Sequence, residues 1–246
     1  MRYLILSDVH SNWEALEAAL AASEGLYEKI LCLGDLVGYG ADPNRVVEWA
    51  REHAALVVRG NHDKACSGRD SLEWFNEIAR SAAQWTLNSL TPENLGYLFA
   101  LAKGPLETDG VTLVHGSILD EDEYVVDPGE AAQLFPYLQG LLTFFGHTHL
   151  QGGFIMDKEQ KLMIVRPRPN QAPQYLEILP EERYLLNPGS VGQPRDGDWR
   201  SAFSLYDSQE RVVVFYRVEY DLAAAQSKIR SAGLSPHLAT RLAVGR

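Results

Sequence analysis

Cysteine is scarce in this 246-residue chain: Cys32 and Cys66 are its only two. Two thiols cannot supply the several bridges that staple small secreted folds. They read instead as reduced thiols in a cytoplasmic protein. No stretch approaches the roughly 18 unbroken apolar residues that a membrane-spanning helix needs. The chain opens with MRYLILSD, a strand-like start without the basic leader, apolar stretch and small-residue cleavage site of a secretion signal. Basic runs are missing as well. Lys and Arg number 22 against 33 Asp and Glu, a formal net charge of −11. That balance argues against extended nucleic-acid binding, which depends on cations neutralising phosphates. A small phosphorylated substrate stays open, because carboxylates that hold metal ions are counted in the charge and the ions reverse the local field. Neither an internal repeat nor a low-complexity segment is present.

What the chain does have is 46% apolar residues, ordinary for a globular protein, set out in a regular order. RYLILS reads as a strand and SNWEALEAALAA as a helix, with Ser11 as N-cap and Glu14 completing a capping box. KILCLG is the next strand. DPNRVVEWA is a helix with Asp42 as cap and Pro43 in its first turn, and AALVVRG is a third strand. This alternation implies a parallel sheet with helices outside. Residues 71–102 read as helical throughout, in two helices that form an insert at about 68–102. GVTLVHG, LLTFFGH, GGFIM, KLMIV, YLEIL, RYLLNPGS, SAFSLYD and RVVVFYRV then follow with little helix between them, and read as antiparallel strands. A helical tail is expected at about 221–246, restarting near Ser235-Pro236. RPRPNQAP, residues 166–173, reads as an exposed loop. The whole, residues 1–246, is expected to be a single domain.

Polar residues collect where the apolar strands end. Asp8 and His10 follow the first strand, Asp35 the second, and Asn61 and His62 the third. His115 follows GVTLV, and His147 and His149 follow LLTFFG. In open α/β sheets the carboxyl edge is where ligand crevices form. Each residue has a bland reading alone: a helix cap, a turn residue, a satisfied core histidine. Five successive strands delivering such groups to equivalent places favour one constellation. Two Asp, four His and an Asn amide oxygen exceed what one tetrahedral ion takes. With one carboxylate shared, they suit two divalent ions about 3.5–4 Å apart, an arrangement that clamps the attacking and leaving oxygens of a phosphate ester. Mixed N and O donors without thiolate favour Mn, Fe, Co, Ni or Zn, with Mn the first expectation.

The set DVH at 8–10, GD at 34–35, GNHD at 60–63, His115 and GHTH at 146–149 resembles the signature of the calcineurin-like metallophosphoesterase superfamily. NPGSVGQPRDGD, residues 187–198, resembles a segment of its small bacterial phosphodiesterase branch. The resemblance implies an α/β fold, a four-layer α/β/β/α sandwich, with a dinuclear centre at one edge. It implies that Asp8, His10 and His149 hold one ion, that Asn61, His115 and His147 hold the other, and that Asp35 bridges. His62 would then face the substrate as the catalytic residue and stabilise or protonate the leaving oxygen, while a hydroxide bridging the metals attacks phosphorus in line. The protein phosphatases of the superfamily carry GDxxDRG; here the run is GDLVGYG, with Gly38 where their second Asp would stand.

The functional expectation is therefore a metal-dependent phosphodiesterase acting on a small phosphorylated substrate. A phosphomonoesterase or protein phosphatase is the nearest alternative. A non-catalytic scaffold, as in the retromer subunit of the same superfamily, is an alternative of another class that goes with loss of the catalytic histidine; His62 is present here. Arg195 is a candidate for the substrate phosphate through its planar fork. Tyr39 either lines the pocket or packs, Asp42 either caps a helix or supports His62, and Cys66 reads as a small buried hydrophobe. His53 and His237 belong to no constellation.

Overall fold

The computed structural model describes residues 1–168 and 173–246. Two six-stranded sheets lie face to face. The first has strands β1 (Arg2–Leu6), β2 (Lys29–Cys32), β3 (Leu56–Val57), β9 (Gln174–Glu177), β11 (Ser201–Asp207) and β12 (Val212–Val218), in the order β3-β2-β1-β11-β12-β9. The second has β4 (Leu106–Thr108), β5 (Val111–Leu113), β6 (Leu142–Phe144), β7 (Gly152–Met156), β8 (Leu162–Val165) and β10 (Arg183–Asn187), in the order β4-β5-β6-β10-β7-β8. Three separate apolar cores show the layering. Tyr3, Ile5, Leu31 and Leu33 meet Leu113, Phe144, Tyr184 and Leu186 between the sheets. Leu4, Leu6 and Phe203 on the outer face of the first sheet meet Leu16, Val46, Val47, Ile229 and Leu238 from helices. Phe145, Phe154 and Leu185 on the outer face of the second meet Ala131, Leu134 and Phe135. Strands buried on both faces explain why RYLIL and KILC carry apolar side chains without alternation. The expected α/β/β/α order is the one observed.

The helices are α1 (Trp13–Ser23), α2 (Pro43–His53), α3 (Asn61–Cys66), α4 (Glu77–Ser89), α5 (Pro92–Ala100), α6 (Pro128–Leu134), α7 (Leu222–Ser231) and α8 (Pro236–Leu242). Several details differ from the sequence expectation. The α1 cap is Asn12, whose Oδ1 accepts from Ala15 N at 3.2 Å. Ser11 stands one residue earlier with φ +54, outside the extended geometry a cap adopts. Glu14, instead of closing a capping box, accepts from Lys228 Nζ. Asp42 occupies the α2 cap position without a side-chain cap bond; its Oδ2 takes Lys228 Nζ at 2.7 Å, tying α2 to α7. Residues 71–76 are not helical, and α4 starts only at Glu77 behind the Asn76 cap. α4 and α5 pack on α2 and α3.

The second half is mixed rather than antiparallel. β5 pairs parallel with β6, and β6 parallel with β10. Parallel neighbours need a crossover, and α6 lies within the one from β5 to β6. Its signal was in the sequence: Asp127 and Glu130 form a capping box around Pro128. Strand β4 was also not anticipated. Of the stretch 166–173, residues 169–172 lie outside the described residues. Both cysteines are buried and free. Among the described residues, no helix is long and apolar enough to cross a membrane.

Candidate metal centre

The parallel strands β1, β2 and β3 of one sheet and β5 and β6 of the other end at the same edge of the sandwich, and each delivers its polar residues there. Asp8, His10, Asp35, His62, His115, His147 and His149 are all buried, and Asn61 is half-buried. Asp8, His10, Asp35 and His149 bring one donor atom each to within 4.8 Å of one another; Asp35, His115 and His147 do the same. Asp35 is common to both groups. Its Oδ2 lies 3.6 Å from His10 Nε2 and 3.5 Å from His115 Nε2. Asn61 Oδ1 is 3.1 Å from His115 Nε2, and His149 Nε2 is 3.4 Å from Asp8 Oδ1.

The chain bends sharply to achieve this. Among the described residues, ten non-glycine positions have φ in the left-handed region, and five of them are Asp8, His10, Asp35, His147 and His149. Such backbone costs on the order of 1–3 kcal/mol per residue and collects at functional sites. His147 and His149, at φ +65 and +60, do not form an extended segment. Each turns separately, one toward each group.

Hydrogen bonds set the imidazole tautomers. His10 Nδ1 lies 3.0 Å from Val37 O, His115 Nδ1 2.7 Å from Leu33 O, and His149 Nδ1 2.5 Å from Gln193 O. A carbonyl only accepts, so each ring donates from Nδ1 and turns Nε2 inward. Burial keeps His10 and His149 well below the ordinary imidazole pKa. Their Nε2 lone pairs thus face each other at 3.1 Å, and neither has a proton to give. A cation between them resolves that repulsion. Donors about 2.1 Å from an ion stand about 3.0–3.5 Å apart, close to the separations found. His147 Nε2 is likewise buried without a hydrogen-bond partner. The donor set fits divalent metal, and the carbonyls behind three of its rings supply the outer shell such sites use to orient ligands.

The carboxylates are held differently. Burial pushes Asp8 up to about 7, with the Asp35 charge adding and His115 opposing. Burial works against ionised Asp35 too, but His115 and His62 hold it well below the usual range. Burial disfavours charge on His115, yet the Asp35 and Asp8 carboxylates outweigh it and raise the ring to about 10. At pH 8 and without metal, His115 thus carries a proton that a metal must displace. Affinity for Mn is expected to rise with pH between about 7 and about 10, and to fall more steeply below about 7 as Asp8 also takes a proton. Titration calorimetry in two buffers of different ionisation enthalpy measures the protons released. No release at pH 8 and a flat affinity from pH 7 to 9 would contradict this.

His62 stands apart from both groups. Its backbone N donates to Asp35 Oδ1 at 2.8 Å, while its ring packs against His10, Tyr39 and Phe75 at centroid distances of 4.9, 4.4 and 4.8 Å. Burial lowers its pKa to about 4, and Nδ1 has no partner. Gly38 is explained here: a Cβ on it would lie 2.5 Å from His62 Nδ1, and its φ is +92. Arg195, between β10 and β11, donates from its backbone to His149 O at 3.2 Å and from Nη2 to Gln193 Oε1 at 3.0 Å. Tyr39 lines the site by packing on His10 as well as His62. Asp42 is engaged by Lys228 instead. His53 and His237 remain outside.

Residues not singled out from sequence hold the frame. Asn187 Nδ2 donates to Gly146 O at 2.9 Å and Thr148 Oγ1 at 3.0 Å, pinning the GHTH turn. Ser190 Oγ donates to Asp8 O, and Asp63 accepts from Gly60 N and Val37 N. Tyr124 lies against the His147 ring with centroids 3.9 Å apart. These contacts span up to 182 residues of chain, and no local pattern announces them. Asn187, Ser190 and Asp63 stood within motifs already noted, and Tyr124 in none.

The family description "Calcineurin-like phosphoesterase superfamily domain" matches residues 1–210. The chain belongs to this superfamily. An uncharacterised protein of Methanocaldococcus jannaschii is 37% identical over 98% of this chain and 97% of its own length. The crystal structure of a metallophosphoesterase from Sphaerobacter thermophilus is 40% identical, covers all of both chains and superposes with a TM-score of 0.88. A hypothetical protein from Pyrococcus horikoshii shares the fold, with a TM-score of 0.80 at 19% identity over 100% of this chain and 98% of that one.

Proposed function

We propose that this phosphoesterase hydrolyses a small phosphodiester with two divalent transition-metal ions, Mn first among them. Asp8, His10 and His149 would hold one ion, Asn61, His115 and His147 the other, and Asp35 both. The observation carrying this reading is the sharing of Asp35 by two buried donor groups. When bound, such ions polarise the phosphoryl group and acidify coordinated water. The side chains supply the rest. His62, neutral, would present a ring N–H to the leaving oxygen. Arg195 offers its guanidinium to a non-bridging oxygen. The buried walls exclude bulk water, which strengthens both contacts. Two buried free thiols agree with a reducing compartment such as the cytoplasm.

The preference for a diester rests on charge. A diester carries one fewer negative charge than a monoester dianion, and Arg195 is the cationic side chain at the centre itself. On metal-stripped protein reloaded with Mn, Ni, Co, Mg or Zn, kcat/KM for a nitrophenyl phosphodiester should exceed that for the matching monoester. Arg195→Ala should lower kcat/KM by roughly 10-fold or more, the scale of a lost charge-assisted hydrogen bond, with metal content unchanged. Preference for the monoester under every metal would favour a phosphomonoesterase.

A further inference from the structure

Three of the six buried or half-buried arginines among the described residues are neutralised by acidic side chains. Arg59 pairs with Glu121, Arg200 with Asp198 and Arg217 with Asp196. Arg195 and Arg241 have no Asp or Glu side chain within ion-pair distance among the described residues, although Asp and Glu outnumber Lys and Arg by 33 to 22. These two meet over one ring. The Arg195 guanidinium carbon lies 5.9 Å from the Tyr39 centroid, and that of Arg241 lies 6.0 Å from it. Arg195 Nε is buried without a hydrogen-bond partner, and Arg241 Nε donates only to the main-chain oxygen of Arg246.

Holding two like charges together disfavours the fold unless something else gains from it. Burial and then the charge of Arg195 both lower the pKa of Arg241. Position says what gains. Tyr39 packs on His10 and His62, so the pair borders the candidate centre. The Arg195 charge is felt at His10, His62, His147 and His149, all of whose protonation it disfavours. Arg241 comes from α8, at the far end of the sequence, and borders the same ring; of the two charges, that of Arg195 is the one felt at those histidines. Arg195 thus reaches the reacting phosphate, while Arg241 is placed for an anion beyond it.

We propose that Arg195 and Arg241 form a guanidinium clamp in which Arg195 takes the reacting phosphate and Arg241 holds a second, non-reacting phosphate of the substrate. The substrate class is then a small diester carrying an additional phosphate group, such as a phosphorylated nucleotide ester. Planar forks with unspent donors suit phosphate oxygens better than they suit a neutral group. Tyr39 and Arg241 become specificity determinants, with the ring fixing the spacing between the two cations. This deepens the diester reading and rests on it for the reacting half of the substrate.

The test uses two nitrophenyl esters of thymidine 5′-phosphate that differ only in a free or phosphorylated 3′-hydroxyl. With Mn-loaded protein, kcat/KM should favour the 3′-phosphorylated ester by roughly 10–100-fold, the worth of one or two charge-assisted hydrogen bonds. Arg241→Gln should erase that preference and leave the unphosphorylated ester within about threefold, with metal content and Tm unchanged. A parallel binding measurement does not need turnover: metal-stripped protein should bind thymidine 3′,5′-bisphosphate tighter than thymidine 5′-phosphate, and R241Q should not. If neither ester is hydrolysed yet the binding gap stands and depends on Arg241, the clamp holds and the diesterase reading fails. If the parent shows no gap in either assay, or R241Q lowers both esters equally, the clamp is overturned and Arg241 serves only to anchor the tail.

Discussion

Asp35→Asn is expected to remove both metal ions and reduce phosphoester hydrolysis to background. Asparagine keeps the shape and can still accept the His62 N–H that now reaches Asp35 Oδ1, so the loop should stay folded. What it loses is the negative charge that stands 3.5–3.6 Å from an inward-facing nitrogen of each group. A neutral amide cannot offset two dications side by side. Without that charge His115 also loses the main partner that raises its pKa. His149→Ala, by contrast, touches only the group formed with Asp8 and His10 and should empty mainly that site. Elemental analysis of Mn-saturated parent, D35N and H149A separates the two patterns, with circular dichroism as the check on folding. Full occupancy of one ion in D35N, or less than one ion per chain in the parent at saturating metal, would refute a shared bridge.

His62→Ala is expected to retain both ions and yet lose on the order of 10²–10⁴ in turnover of an ester with a poor leaving group, the usual contribution of a positioned acid or base. With a nitrophenolate leaving group, which needs no proton, the loss should be smaller. That contrast is the diagnostic, because a structural defect would slow both alike. Gly38→Ala should resemble it, since the added methyl meets His62 Nδ1 and the φ of +92 penalises any side chain. It also explains in physical terms why this chain departs from GDxxDRG: an aspartate at 38 and the present His62 rotamer cannot coexist. Activity of H62A equal to the parent on a poor leaving group would remove His62 from the mechanism.

The sequence by itself determined the alternating first half, the strand-end placement of all the candidate ligands, and through them the family. It could do so because a strand announces its end locally, by an apolar run giving way to Gly and a polar residue, and because five such ends were occupied alike. Strand pairing was less legible. β5, β6 and β10 are short apolar runs that look the same whether neighbours run parallel or antiparallel; the α6 crossover decides for β5 and β6, and the chain's passage through β7, β8 and β9 for β6 and β10. The α1 cap is ambiguous by one residue in the sequence because Ser11 and Asn12 are both good caps, and the choice falls to the left-handed backbone that runs through Asp8, His10 and Ser11. Tertiary structure alone decided that Nδ1 of His10, His115 and His149 faces a backbone carbonyl, and that Arg241 from α8 borders the same Tyr39 ring as Arg195. Each of these joins residues far apart in the chain through distances of a few ångströms. Such distances follow from how two sheets and their helices pack, and no periodicity in the sequence encodes them.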